Sequence, residues 1–240
     1  MKKKSIITIA VVLALAVLVT SKILLKDKDT SPTAGMDLGE KFRYYGSDKD
    51  LNGYTSVYHT LFDHMKDQPI TMLEIGIGTM LPEAPSSMLG FAREGYKPGG
   101  SLRAWRDHFK NGTIHGADIQ KDTQITDEPR IITHICNSTD PADVKKFMDS
   151  LGNIKFDIIL DDGSHLDDHQ WATLRNFYPH LKENGIYIIE DIYPGSKVTE
   201  QPEVLGTLSN SDPCFFVGKK NNICVIYKNH LKRDSKTYNY

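Results

Sequence analysis

From residue 70 to residue 192 the chain alternates short, continuously apolar runs with amphipathic runs of helical period, and no other feature limits its fold so tightly. The apolar runs are ITMLEIGIG (70–78), GTIHGADI (112–119), RIITHIC (130–136), FDIILDD (156–162) and GIYIIEDI (185–192). Helical patterns fall at SLRAWRDHF (101–109), DPADVKKFMDSL (140–151) and HQWATLRNFYPHL (169–181). Strands without a polar face must be covered on both sides, which is the condition of a parallel sheet with helices above and below. The expected fold is therefore α/β, doubly wound and mostly parallel.

CFFVGKKNNICVIYK (214–228) departs from this pattern, with two β-rich runs around a polar turn and no helix between them. It predicts an antiparallel hairpin that closes a seven-stranded sheet. Cys214 and Cys224 then lie across from one another; two small core residues are the favoured reading, with a disulfide as the alternative in an oxidising lumen.

A length of 240 residues with 39% hydrophobic and 25% charged residues suits one substantial domain. A net charge of -2 gives no basic surplus for gripping a phosphate backbone, so nucleic acid is not an expected partner, whereas a homo-oligomer is compatible with the chain. Lys2, Lys3 and Lys4 precede an uncharged stretch from Ser5 to Ser21. Residues 1–22 therefore read as a single-pass membrane anchor, with a signal segment as the rival, and the leading lysines favour a cytoplasmic N-terminus, the type II orientation. Residues 23–40 mix charge, Pro and Gly and read as a stalk, 41–230 as the folded domain and 231–240 as a polar tail.

Ligands of open α/β sheets sit beyond the carboxyl ends of the strands. After the first strand comes Glu74-Ile75-Gly76-Ile77-Gly78, where glycines permit close approach of backbone to a ligand; Leu81 stands where a dinucleotide fingerprint would need a third glycine. Asp118, ending the second strand, is placed to accept the hydroxyls of a nucleoside ribose, with a solvated strand cap as the plainer reading. Asn137 and Ser138, after the third, could bond an adenine edge or form an Asx turn. The fourth and fifth strands deliver Asp161, Asp162, Glu190 and Asp191 to one edge, where like charges oppose folding unless a cation joins them. Oxygen ligands suit Mg²⁺ or Mn²⁺, and capping of the following helix is the alternative for nearby acids such as Asp167 and Asp168. His165, three residues beyond Asp162, is a candidate general base; His169 ranks lower.

Read together, YYGSDKDLNGYTSVYHTLF (44–62), LEIGIGTM, GGSLRAWRDHF, GADI, FDIILDDGSH and YIIEDI resemble the class I S-adenosylmethionine-dependent methyltransferases, and within them the metal-dependent sugar O-methyltransferases of macrolide and glycan pathways. The resemblance implies a Rossmann-like methyltransferase fold and S-adenosylmethionine as cofactor. Glu74, Gly76 and Gly78 would cradle its methionine part and Asp118 its ribose; Asn137, Ser138 and Asp161, placed at strand ends, are the further cofactor candidates. It further implies Asp162, Glu190 and Asp191 as Mg²⁺ ligands, His165 as base with Asp162 beside it, and a sugar or glycan hydroxyl as acceptor. A catechol-like acceptor and a membrane-tethered, non-catalytic cofactor-binding module are the alternatives.

Overall fold

The computed structural model describes residues 31–93, 95–196, 214–218 and 222–229. The expected anchor at 1–22, most of the expected stalk and the tail at 231–240 lie outside the described residues. Among the described residues no helix is long and apolar enough to cross a membrane. Residues 31–35 belong to a unit of their own, and in it Ala34 N–H closes a turn on the Ser31 carbonyl at 3.0 Å.

The second unit begins at Met36. Its first helix, α1 (Leu38–Tyr44), starts from a capping box in which the Asp37 side chain accepts from Glu40 N–H and the Glu40 side chain from Asp37 N–H. The folded body thus opens a few residues earlier than hydropathy suggests, because Leu38 is fully buried although polar residues surround it. A loop leads to α2 (Thr55–Phe62). Then follow β1 (Thr71–Ile75), α3 (Gly100–His108), β2 (Thr113–Asp118), β3 (Ile131–Ile135), α4 (Pro141–Ser150), β4 (Phe156–Asp161), α5 (Asp167–Phe177), β5 (Leu181–Ile189), β6 (Cys214–Val217) and β7 (Ile223–Tyr227).

The sheet has seven strands in the order β3-β2-β1-β4-β5-β7-β6. β1 to β5 pair in parallel, while β7 runs antiparallel to both β5 and β6. The expected doubly wound sheet and closing hairpin are both present. A disulfide joins Cys214 to Cys224 with their Cα atoms 5.7 Å apart, in place of the two unbonded core residues that composition favoured.

Strand order reverses between β1 and β4, which makes their carboxyl ends the crevice of the fold. One face of the sheet carries a core of Met72, Ile158, Leu160, Ile186 and Ile188 packed with residues of α1, α2 and α3. Its aromatic centre is Trp105, edge-on to Phe42 (4.9 Å between centroids), Tyr58 (5.1 Å) and Phe62 (5.7 Å). The opposite face carries Leu73, Ile159, Tyr187 and Ile189 under α4 and α5.

Candidate active site

Side chains alternate across a strand, so residues of one parity share a face. Glu74, Asp162 and Glu190 continue the series Met72, Ile158–Leu160 and Ile186–Ile188 and emerge on the same face at the carboxyl edge. Lys49, on the loop between α1 and α2, is enclosed by all three. Its Nζ donates to Asp162 Oδ2 and Glu190 Oε2, each at 2.6 Å, and lies 3.2 Å from Glu74 Oε1. Glu74 Oε2 accepts from Trp105 Nε1 at 2.9 Å, and Glu190 Oε1 accepts from the Tyr58 hydroxyl. Burial by itself would lower the pKa of Lys49, but the charges of Asp162, Glu190 and Glu74 hold it well above its ordinary value, so the group is an ammonium ion. Burial raises Glu74 and Glu190, and the lysine opposes that rise.

At the rim of this basin, single ligand atoms of Asp162, His165 and Asp191 lie within 4.8 Å of one another. His165 Nε2 is 3.8 Å from Asp191 Oδ2, while its Nδ1 is buried without a hydrogen-bond partner. Asp191 is oriented from behind by the Tyr54 hydroxyl, which itself accepts from Asn222 Nδ2 at 2.6 Å. Both His165 (φ 60°) and Asp191 (φ 51°) adopt the left-handed backbone region, which His and Asp enter more readily than most side chains. The carboxylate oxygens of Asp162 and Asp191 suit a divalent ion such as Mg²⁺ or Mn²⁺ with positions left for other ligands, and the imidazole stands beside them. Glu190, expected among the ligands, sits one residue away, with its two oxygens given to Lys49 and Tyr58.

Gly76 and Gly78 have φ of 88° and 83°. A Cβ at Gly76 would overlap the Asp162 carbonyl, so the loops after β1 and β4 can touch only because this residue has no side chain. Asp118 Oδ2 accepts from Ile77 N–H and Oδ1 from Gln120 N–H, both at 2.8 Å. Asp122 continues the brace, accepting from Thr79 Oγ1 at 2.6 Å and Met80 N–H at 2.8 Å. Asp118 therefore shapes the glycine loop. Tyr96, from the long segment before α3, donates to Gly78 O at 2.9 Å and covers the loop.

Three expected cofactor residues sit differently. Asp161 has the parity of Ile159 and faces the α4–α5 side, so it does not join Asp162. There its Oδ1 accepts from Gly163 N–H at 3.2 Å, its Oδ2 has no partner, and burial pushes its pKa up to about 8. Asn137 makes the Asx turn: its Oδ1 accepts from Thr139 N–H at 3.1 Å and Thr139 Oγ1 at 2.8 Å. Ser138 Oγ pairs with Thr173 Oγ1 of α5 at 2.8 Å, which spends it on packing. His169 Nδ1 lies 2.7 Å from Ser164 Oγ, outside the Asp162–His165–Asp191 group.

Sequence reasoning assigned no role to Lys49, Tyr54, Tyr58 or Trp105. A lysine in a polar loop reads as solvated, and only the even spacing of acids on three strands, which forces them onto one face, signals that a buried cation must answer them.

No protein-family model matches the chain. It is 34% identical over 149 residues to the 8-demethyl-8-alpha-L-rhamnosyl tetracenomycin-C 2'-O-methyltransferase of Streptomyces olivaceus, a match covering 62% of this chain and 35% of that protein. It is 32% identical over 163 residues to the demethylmacrocin O-methyltransferase of Streptomyces fradiae, covering 67% of this chain and 38% of the other. Its fold matches the MycE methyltransferase from the mycinamycin biosynthetic pathway, solved in complex with Mg, SAH and mycinamycin VI, with a TM-score of 0.60 and 25% identity over 82% of this chain and 56% of that one. The chain spans little more than a third of the length of these curated relatives. In sequence and in fold it is similar to the class I S-adenosylmethionine-dependent methyltransferases, and within them to enzymes that methylate sugar and macrolide hydroxyls.

Proposed function

We propose that this protein is an S-adenosylmethionine-dependent, Mg²⁺-assisted O-methyltransferase acting on a hydroxyl of a sugar or glycan. The observation that carries the reading is the convergence of Asp162, His165 and Asp191 beside a glycine loop at the point where strand order reverses. The relatives' names, all of them sugar or macrolide O-methyltransferases, support the acceptor class.

S-adenosylmethionine supplies an electrophilic methyl group when bound, and a divalent cation supplies positive charge that makes an acceptor hydroxyl more acidic. The Gly76–Gly78 loop, braced by Asp118 and Asp122, lets the backbone approach the cofactor, and Asp162 with Asp191 would hold the cation. His165 Nε2, on the same rim, takes the acceptor proton; Asp191 Oδ2 at 3.8 Å stabilises the imidazolium that results. Buried Glu74 and Lys49 keep the floor rigid and free of bulk water.

The test is methyl transfer from radiolabelled S-adenosylmethionine by the full chain to a panel of glycosides and catechols, with and without a chelator. Label in glycosides alone, abolished by chelation, is expected; transfer confined to catechols would move the acceptor to aromatic diols. The apolar stretch behind Lys2–Lys4 supports a membrane tether with a cytoplasmic N-terminus, and recovery of the full chain in the salt-washed soluble fraction would oppose it.

A further inference from the structure

A fully buried lysine among three carboxylates is a poor device for stability alone, because apolar residues of similar volume usually serve as well. Lys49 has 1% of its surface exposed, and the acids around it come from the ends of β1, β4 and β5. Glu74 stands two residues before Gly76, under the cofactor loop. Asp162 belongs to the cation rim. The ammonium is ion-paired with both.

The geometry points to Lys49 as a positioning residue that couples the cofactor site to the cation site. Through 2.6 Å contacts to Asp162 and Glu190 and a 3.2 Å contact to Glu74, it ties the positions of these carboxylates to one another. Ordering Glu74 under a bound cofactor fixes the ammonium, and the ammonium fixes the Asp162 oxygen that it holds. By linkage, occupation of the rim then strengthens cofactor binding by the same factor. Trp105 on Glu74 and Tyr58 on Glu190 restrict the remaining freedom of the network, so little of the coupling is lost to side-chain motion. The inference rests on the methyl-transfer reading of this site but concerns a residue that contacts neither reacting group.

Calorimetry on the full chain tests it with S-adenosylhomocysteine and Mn²⁺ as probes, each titrated alone and in the presence of the other. In the wild type each ligand should tighten the other by about fivefold or more. Lys49→Met should still bind each probe but lose the mutual enhancement. Glu74→Gln, which keeps the ammonium while weakening its hold beneath the loop, should lose most of it too, and decides the matter if Lys49→Met does not fold. A general loss of stability would weaken both bindings without abolishing the factor between them. Enhancement that persists in Glu74→Gln and in folded Lys49→Met, or independent binding in the wild type, overturns the coupling and leaves the methyl-transfer reading standing. A wild type that binds neither probe overturns both.

Discussion

His165 is the residue on which the proposed chemistry turns, because it sits beside Asp162 and Asp191 with one ring nitrogen toward Asp191 and the other buried without a partner. If it acts as the base, His165→Ala should lower turnover by roughly 10²- to 10⁴-fold while Mn²⁺ affinity changes by less than about threefold. Steady-state kinetics and calorimetry on the same preparation separate this from a ligand role, in which metal affinity would fall together with rate. Asp161 and Asp162 show how finely position decides function: adjacent acids at the end of one strand face opposite sides of the sheet. Only Asp162 reaches Lys49 and the rim. Both lie at the sheet edge that strand position predicts, but strand parity turns Asp161 to the opposite face from the one expected of a cofactor residue. At Asn137 the sequence allows an adenine contact or an Asx turn, and local bonding to Thr139 takes the side chain for the turn.

At the scale of elements, α1 and α2 form the wall that carries Lys49, Tyr54 and Tyr58 to the carboxylates, so their stability controls the site's floor. Removing the capping oxygen with Asp37→Ala should cost about 1 kcal/mol, read as a shift in the denaturant midpoint without a change of slope. No shift would mean that α1 does not need its cap. The strands and the helices from α3 onward were legible because their hydrophobic periods are unambiguous. α1 was not, since it is short and mostly polar, with Leu38 and Phe42 buried through tertiary contact with Trp105 and its neighbours. The hairpin was legible from its turn and β-rich flanks, but bonding of its cysteines depends on the spacing of two strands that sequence alone does not fix.

For the whole molecule, the parallel sheet places a pair of histidines in its second core. His115 and His134, on neighbouring strands, have ring nitrogens 3.3 Å apart, and burial, aided by the charge of His134, lowers His115 from 6.5 to about 4. The unfolded chain therefore binds more protons than the folded one between those values, so this contribution to stability is full above pH 6.5 and falls as pH drops toward 4. The loss should reach about 3 kcal/mol at the acid end. His115→Leu should flatten that part of the curve, as followed by thermal melts across the range; an unchanged slope would show that the pair is not buried neutral.

At the same scale, the reversal of strand order between β1 and β4 brings a glycine loop, the Asp162–His165–Asp191 group and a buried ammonium to one edge, and the proposed methyl transfer rests on that convergence. Calorimetric titration of the full chain with S-adenosylmethionine, in the presence and absence of Mg²⁺, tests this most directly. Binding in the roughly micromolar range, tighter with Mg²⁺, is the predicted result. Folded protein that takes up no S-adenosylmethionine under either condition would contradict it.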